Sequence, residues 1–318
     1  MGWPCRRSLW GETLGRARAD YATVAGAIAE FEPVTMIANP GDDAEQARAA
    51  CSERVEILEL GIDDSWLRDS GPIYVTSEDG RTAVHFGFNA WGEKFSPWDR
   101  DAQIGRLAAA ALGDEVRDAP MILEGGSVHS DGHGTILTTE QCLLNANRNP
   151  AMSREQIEET LADQLGAQRI VWLRDGLLED RDTDGHVDLI AAFTPGGGVL
   201  LQTAPEENPN HAGCEENRRR LDAAGIAVTE MPHLPYVEVA GETAVASYMN
   251  FYVCNRAAIV PVTGAETDAD ALARIGAAFP EREIVAVPGA VLAYGGGGPH
   301  CITQQVPAVA PPGAADGR

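Results

Sequence analysis

No apolar run in this 318-residue sequence reaches the roughly 18 residues that a membrane-spanning helix needs. The opening stretch, MGWPCRRSLWGETLGRAR, has no apolar core of the secretory-signal type. The six cysteines, Cys5, Cys51, Cys142, Cys214, Cys254 and Cys301, include no CxxC pair. Scattered thiols without an export signal predict reduced side chains in a cytoplasmic setting, not disulfides or a zinc site. Basic charge is short: 24 Lys and Arg stand against 48 Asp and Glu, a formal net charge of −24. That disfavours nucleic acid and anionic membranes as partners. A negative field suits a cationic small molecule, although solubility alone also accounts for it. A homo-oligomer is compatible with such a chain.

What is present suffices for a large core: hydrophobic residues make up 44% of the chain. Apolar spacing and caps predict helices at about 14–31, 42–51, 99–113, 153–165, 214–224 and 267–279. The clearest is SREQIEETLADQLG, with Ser153 as N-cap, Ile157, Leu161 and Leu165 on one face, and Gly166 as the stop. Short strand-like runs lie between, among them PVTMIAN, RVEILEL, GPIYV, GTILTT, RIVWL, GGVLLQT and EIVAVP. One helix with two or three strands recurs about every 55–65 residues, which favours several similar modules over one doubly wound sheet. No linker divides residues 1–307, which read as a single domain, and the Ala/Pro/Gly-rich 308–318 reads as a disordered tail.

Five stretches are too polar or too glycine-rich for plain core. AYGGGGPHCITQQVP sets Cys301 after four glycines, on a sharply turned loop that suits a nucleophile. DDSWLRDSGP holds Trp66, Arg68 and Asp69 before a Gly-Pro turn; read alone it is a capped loop with a structural Arg–Asp pair. LEGGSVHSDGHG sets Glu124 at the end of an apolar run. The turn residues around His129 and His133 predict a solvent-facing hairpin, and ligands four apart belong on a helix, so no metal is expected there. In EDRDTDGHVDLIAAF, His186 and Asp188 are two apart and predicted to share one face of a strand. In VASYMNFYVCN, Tyr248 and Asn250 alternate with Met249 and are predicted to reach a site together.

Each stretch has a bland reading as turn or core, and His, Asp and Glu are also metal ligands. Together they supply a thiol, an imidazole and three carboxylates. Carboxylates oppose thiolate attack on an amide, which needs an oxyanion hole. They favour attack on a guanidinium, which is planar, charged and held in bidentate fashion by paired carboxylates. A histidine then protonates departing ammonia and activates a water.

WLRDSGP, LEGGS, TTEQCLLNANRNP, DTDGHVD, ASYMNFY and GGGGPHCITQQVP resemble, in order and over about residues 20 to 307, the agmatine deiminases of the guanidino-group-modifying superfamily, to which bacterial peptidylarginine deiminase also belongs. The resemblance implies a pentein fold, an α/β propeller of five ββαβ-like modules around a central active site. It implies Cys301 as the nucleophile that forms an amidino-cysteine, His186 as general acid and base, Asp69 and Asp188 as the guanidinium clamp, and Glu124 as the group that orients and charges His186. Trp66, and with it Trp91 of FNAWGEK, would line the substrate pocket. The implied substrate is agmatine, a cationic guanidino small molecule, with no metal or organic cofactor. Arg68 reads as structural, which leaves no cation for the carboxylate of free arginine. The chain departs from the family's usual GGGNIHC by carrying Gly298 and Pro299, and it lacks the family's opening MPAEW…H segment before Trp3-Pro4. The open alternatives are a deiminase of free or peptidyl arginine, a non-catalytic guanidine-binding paralogue and a metal hydrolase.

Overall fold

The computed structural model describes residues 1–78 and 80–308. All six helical segments form: α1 (Leu14–Ala29), α2 (Asp42–Ala50), α3 (Asp101–Ala111), α4 (Arg154–Leu165), α5 (His211–Ala223) and α6 (Asp268–Ala278). In α4 Ser153 and Gln156 make a reciprocal capping box. Gly166 ends the helix in the left-handed conformation, at φ +71°. Ile157 and Leu161 are buried beneath it.

Four modules repeat one plan, in which an antiparallel pair is followed by a helix and a third strand parallel to the second. The first joins β3 (Ile73–Ser77), β4 (Gly80–Gly87), α3 and β5 (Glu115–Ile122). It follows the parallel pair β1 (Val34–Ala38) and β2 (Val55–Glu59), which α2 connects and which Gly2 extends by a bridge to Ile37. The next module joins β6 (Val128–Ser130), β7 (Thr135–Thr139), α4 and β8 (Arg169–Leu173). Then come β9 (Ala191–Phe193), β10 (Val199–Gln202), α5 and β11 (Val228–Met231). After the hairpin β12 (Tyr236–Val239) and β13 (Glu242–Val245), the last module joins β14 (Tyr252–Cys254), β15 (Ala257–Val262), α6 and β16 (Glu283–Pro288).

The middle strand of a module has partners on both edges. In β10, Val199 faces Phe193 of β9 and Val228 of β11. All four residues of β10 are buried, which explains its continuous apolar run. Strands that the sequence pattern misses are three residues long, as β6 is, or largely exposed, as β5 is. Neither kind shows an alternating pattern long enough to detect.

One helical turn stands before the first strand of each of the four modules: Leu67–Ser70, Gly125–Ser127, Val187–Leu189 and Tyr248–Asn250. These turns bond to one another. Gly126 N donates to Asp69, Asn250 Nδ2 to the Asp188 carbonyl and Ser247 Oγ to the Leu189 carbonyl. The Arg68 amide donates to the Cys301 carbonyl, which brings the late loop into the same ring of turns.

The expected strand face shared by His186 and Asp188 is therefore corrected: β9 starts only at Ala191. The preceding backbone turns sharply at Asp184 and Gly185, with φ +61° and +88°. Asp180 holds that turn by accepting from the amides of Gly185 and His186. Tyr248 and Asn250 likewise sit on a turn and diverge. Tyr248 donates to Asp268 at 2.6 Å, away from the other predicted residues. The predicted tail lies outside the described residues apart from Ala308.

Candidate active site

The turns bring Asp69, Glu124, His186, Asp188 and Cys301 into one buried cluster. Cys301 is 4% exposed, Asp188 1%, and Glu124 and His186 0%. Asn250 clamps the cysteine at both ends. Its Nδ2 is 3.0 Å from Cys301 Sγ, and its Oδ1 accepts from the Cys301 amide at 3.1 Å. Asp188 Oδ2 lies 3.4 Å from the same sulfur and 2.7 Å from His300 Nδ1. Across the cluster, Asp69 accepts from Gly126 N at 3.0 Å and from Trp91 Nε1 at 2.9 Å. His186 stands between acids, with Nδ1 3.7 Å from Asp69 and Nε2 3.9 Å from Glu124. Both His186 nitrogens, Asp188 Oδ1 and Glu124 Oε2 are buried without a hydrogen-bond partner among the described residues.

The glycine run has a reason beyond backbone freedom. A Cβ on Gly297 would stand 2.7 Å from Cys301 Cβ and 2.8 Å from Trp66. One on Gly298 would stand 2.9 Å from Asn250 Oδ1. The loop carries no side chains because the nucleophile and its partners press against it. Trp66 is buried and stacks on Trp10 at 6.0 Å and 26°. Trp91 is reached by a different device. Ala90, Trp91, Gly92 and Glu93 all have positive φ, from 52° to 87°. Asn89 secures this left-handed turn by accepting from Gly92 N. Such φ values strain non-glycine residues by about 1–3 kcal/mol each and cluster at functional sites.

Sequence reading did not assign a role to Arg148, of LLNANRNP, or to His300. The Arg148 side chain is fully buried; it bonds Glu124 at 2.6 Å, Asp184 at 2.7 Å and the Thr183 carbonyl at 2.9 Å. A buried arginine flanked by asparagines was the available signal, since such a cation requires a buried anion. The expected Arg68–Asp69 pair does not form. Arg68 instead bonds the His300 carbonyl and the side chains of Gln304 and Gln305. Adjacent residues on one helical turn point apart, which separates them.

Electrostatics divide the cluster. Burial pushes the Asp69 carboxyl up to about 6, against the pull of His186. Burial also opposes charge on Asp188, but the His300 hydrogen bond and nearby cations outweigh it and hold that carboxyl below its ordinary value. Burial disfavours the His186 cation, yet Asp69, Cys142 and Glu124 outweigh it and raise its pKa well above that of an ordinary histidine. Burial and the two aspartates push the Cys301 thiol far up. Glu124, Cys142 and His186 bring possible metal-ligand atoms within 4.8 Å of one another. Arg148 already occupies Glu124 Oε1 in this trio.

The fold and this cluster define a pentein-type enzyme scaffold. A solved dimethylarginine dimethylaminohydrolase, at 16% identity and a TM-score of 0.53 over 95% of this chain and 96% of that one, shares the fold. Residues 1–307 match the family model of Porphyromonas-type peptidyl-arginine deiminases, and the chain belongs to that family. It is 41% identical to the agmatine deiminase of Stutzerimonas stutzeri, over 97% of this chain and 92% of that protein. The agmatine deiminase of Pseudomonas fluorescens matches at the same identity and coverage. Among solved structures, the agmatine deiminase of Enterococcus faecalis superposes with a TM-score of 0.90 at 31% identity, covering 96% of this chain and 91% of that one. No helix among the described residues is long and apolar enough to cross a membrane.

Proposed function

We propose that the protein hydrolyses agmatine to N-carbamoylputrescine and ammonia through a covalent amidino-cysteine. The observation that carries this reading is the placement of Asp188 3.4 Å from Cys301 Sγ, with Asp69 and protonated His186 completing the buried cluster. Paired carboxylates hold a guanidinium by charge-assisted hydrogen bonds, and the unpartnered Asp188 Oδ1 is an acceptor for one of its N–H groups. The bound cation offsets the field of Asp69 and Asp188 at the thiol. Cys301 then loses its proton to solvent, and the thiolate attacks the guanidinium carbon.

His186 delivers its proton to the departing nitrogen, the C–N bond breaks and ammonia leaves. The amidino group remains on sulfur as a thiouronium. Neutral His186 takes a proton from water, and the hydroxide adds to the amidino carbon. The C–S bond breaks, the ureido product forms and its hydroxyl proton returns to sulfur. Glu124, itself fixed by Arg148, keeps His186 oriented and basic. Trp66 packs against the Gly297 loop and Trp91 bonds Asp69, which places both beside the cluster.

Burial of the cluster favours a slender alkylguanidine over a peptidyl arginine. Of the nearby cations, Arg148 is committed to Glu124 and Asp184, and Arg68 is turned from the cluster toward Gln304 and Gln305. The α-carboxylate of free arginine would meet acids. Ureido-product formation with agmatine, arginine and a blocked peptidyl-arginine tests this side by side. Agmatine is expected to lead arginine by at least about 10²-fold in kcat/KM. Comparable rates reject the agmatine assignment while leaving the chemistry at Cys301 standing.

A further inference from the structure

A cavity of about 420 Å³ includes none of Asp69, Glu124, His186, Asp188 and Cys301 in its wall. Arg68, His129 and His300 line it, and Trp66, Trp91, Asp69 and Cys301 do not. Its remaining wall is rich in aromatics, among them Phe193, Phe251 and Tyr252. Arg68 is only 4% exposed and meets no carboxylate: Nε donates to the His300 carbonyl and Nη1 to the amide oxygens of Gln304 and Gln305. Its Nη2 has no acceptor among the described residues. Asp188 and Asp69 act on it only through space, and a buried cation without a carboxylate in contact is expensive. The rings of His129 and His300 lie nearly parallel beside it, centroids 6.2 Å apart at 24°. His300 is fixed through Nδ1 to Asp188, and His129 Nδ1 accepts from the Phe193 amide. The Nε2 atom of each ring has no protein partner among the described residues. The one acid on the cavity wall, Asp131, already accepts from the amides of His133 and Thr135.

We propose that this cavity is a binding site for a small organic carboxylate with an apolar or aromatic body. Its carboxylate accepts from Arg68 Nη2 and from an imidazole Nε2–H, and its body lies against the phenylalanines. This ligand differs in charge from the guanidinium expected at the reaction cluster, and the site does not depend on that reading.

The probe is 3-phenylpropionate, with 3-phenylpropionamide as its uncharged counterpart and inorganic phosphate as a bare anion, measured by calorimetry on the full chain. The carboxylate is expected to bind and the amide not to. Arg68→Gln should weaken binding at least about 10-fold, as loss of a charge-assisted hydrogen bond does, and His129→Leu about 5-fold. Should Arg68→Gln fail to fold, His129→Leu decides. Equal binding of acid and amide, binding of phosphate in preference to the probe, affinity unchanged in His129→Leu, or displacement of the probe by agmatine would each overturn the proposal.

Discussion

Arg68 and Asp69 are adjacent on one helical turn, yet they serve chambers of opposite character. Asp69 belongs to a buried cluster of three carboxylates and one histidine of raised pKa, whereas Arg68 faces an aromatic cavity with two imidazoles. The boundary is one residue thick at Arg68–Asp69, and again at His300–Cys301. The comparison teaches that a net charge of −24 says little about local chemistry. Side chains alternate around short turns, and burial amplifies each separate charge.

The front chamber breaks most completely at its nucleophile. Cys301→Ser should reduce turnover below detection while leaving the fold intact, because nothing nearby ionises a serine hydroxyl. Mass spectrometry of a trapped reaction should find the amidino adduct on Cys301; an adduct on Cys142 or Cys254 removes the assignment. The clamp comes next. Asp69→Asn and Asp188→Asn should each lower kcat/KM by about 10²-fold, by weakening a charge-assisted bond and misplacing the carbon under attack. Near-wild-type kinetics in either variant would make that carboxylate structural.

Acid sharpens the comparison further. The Asp69 carboxyl sits at about 6 because burial penalises its charge. kcat/KM should therefore fall as pH drops through about 6, roughly tenfold per unit once Asp69 is protonated, and this limb should vanish in Asp69→Asn. Stability runs the other way. A carboxyl raised on folding stabilises the fold at low pH, and that contribution is lost as pH rises through about 6. Asp69→Asn should then match or exceed the wild-type Tm at pH 7 while losing activity; a lower Tm would show that the carboxylate also holds the turn together. The smallest effect lies far from both chambers. Ser153→Ala removes the α4 capping box and should cost about 1 kcal/mol in denaturant unfolding with unchanged kcat/KM.

Much of this contrast was legible in the sequence, and the exceptions have physical causes. The helices carry long periodic signals and strong caps, as Ser153 and Gly166 show. The three-residue strand β6 carries none. Cys301, His186, Asp69, Asp188 and Glu124 stood out through turn glycines and family-like motifs, and they meet in space. The alternation rule misplaced His186 and Asp188 because a positive-φ turn, invisible to a two-residue period, precedes the strand. Arg148 escaped a role because its partner Glu124 lies 24 positions away. The rear cavity was hidden because His129 reads as an ordinary hairpin residue until the fold brings it beside His300.

The bonds that close the ring of turns also govern when the protein becomes chemically competent during its synthesis. Arg68 reaches His300 across 232 positions, and Gln304 bonds back to the Pro72 carbonyl across the same span. Contacts of such separation form late, after the loop-closure entropy has been met. The earlier modules leave the ribosome with their acids and histidine already in sequence, but without Cys301. A nascent chain therefore carries no nucleophile at this site until the loop that follows β16 has emerged.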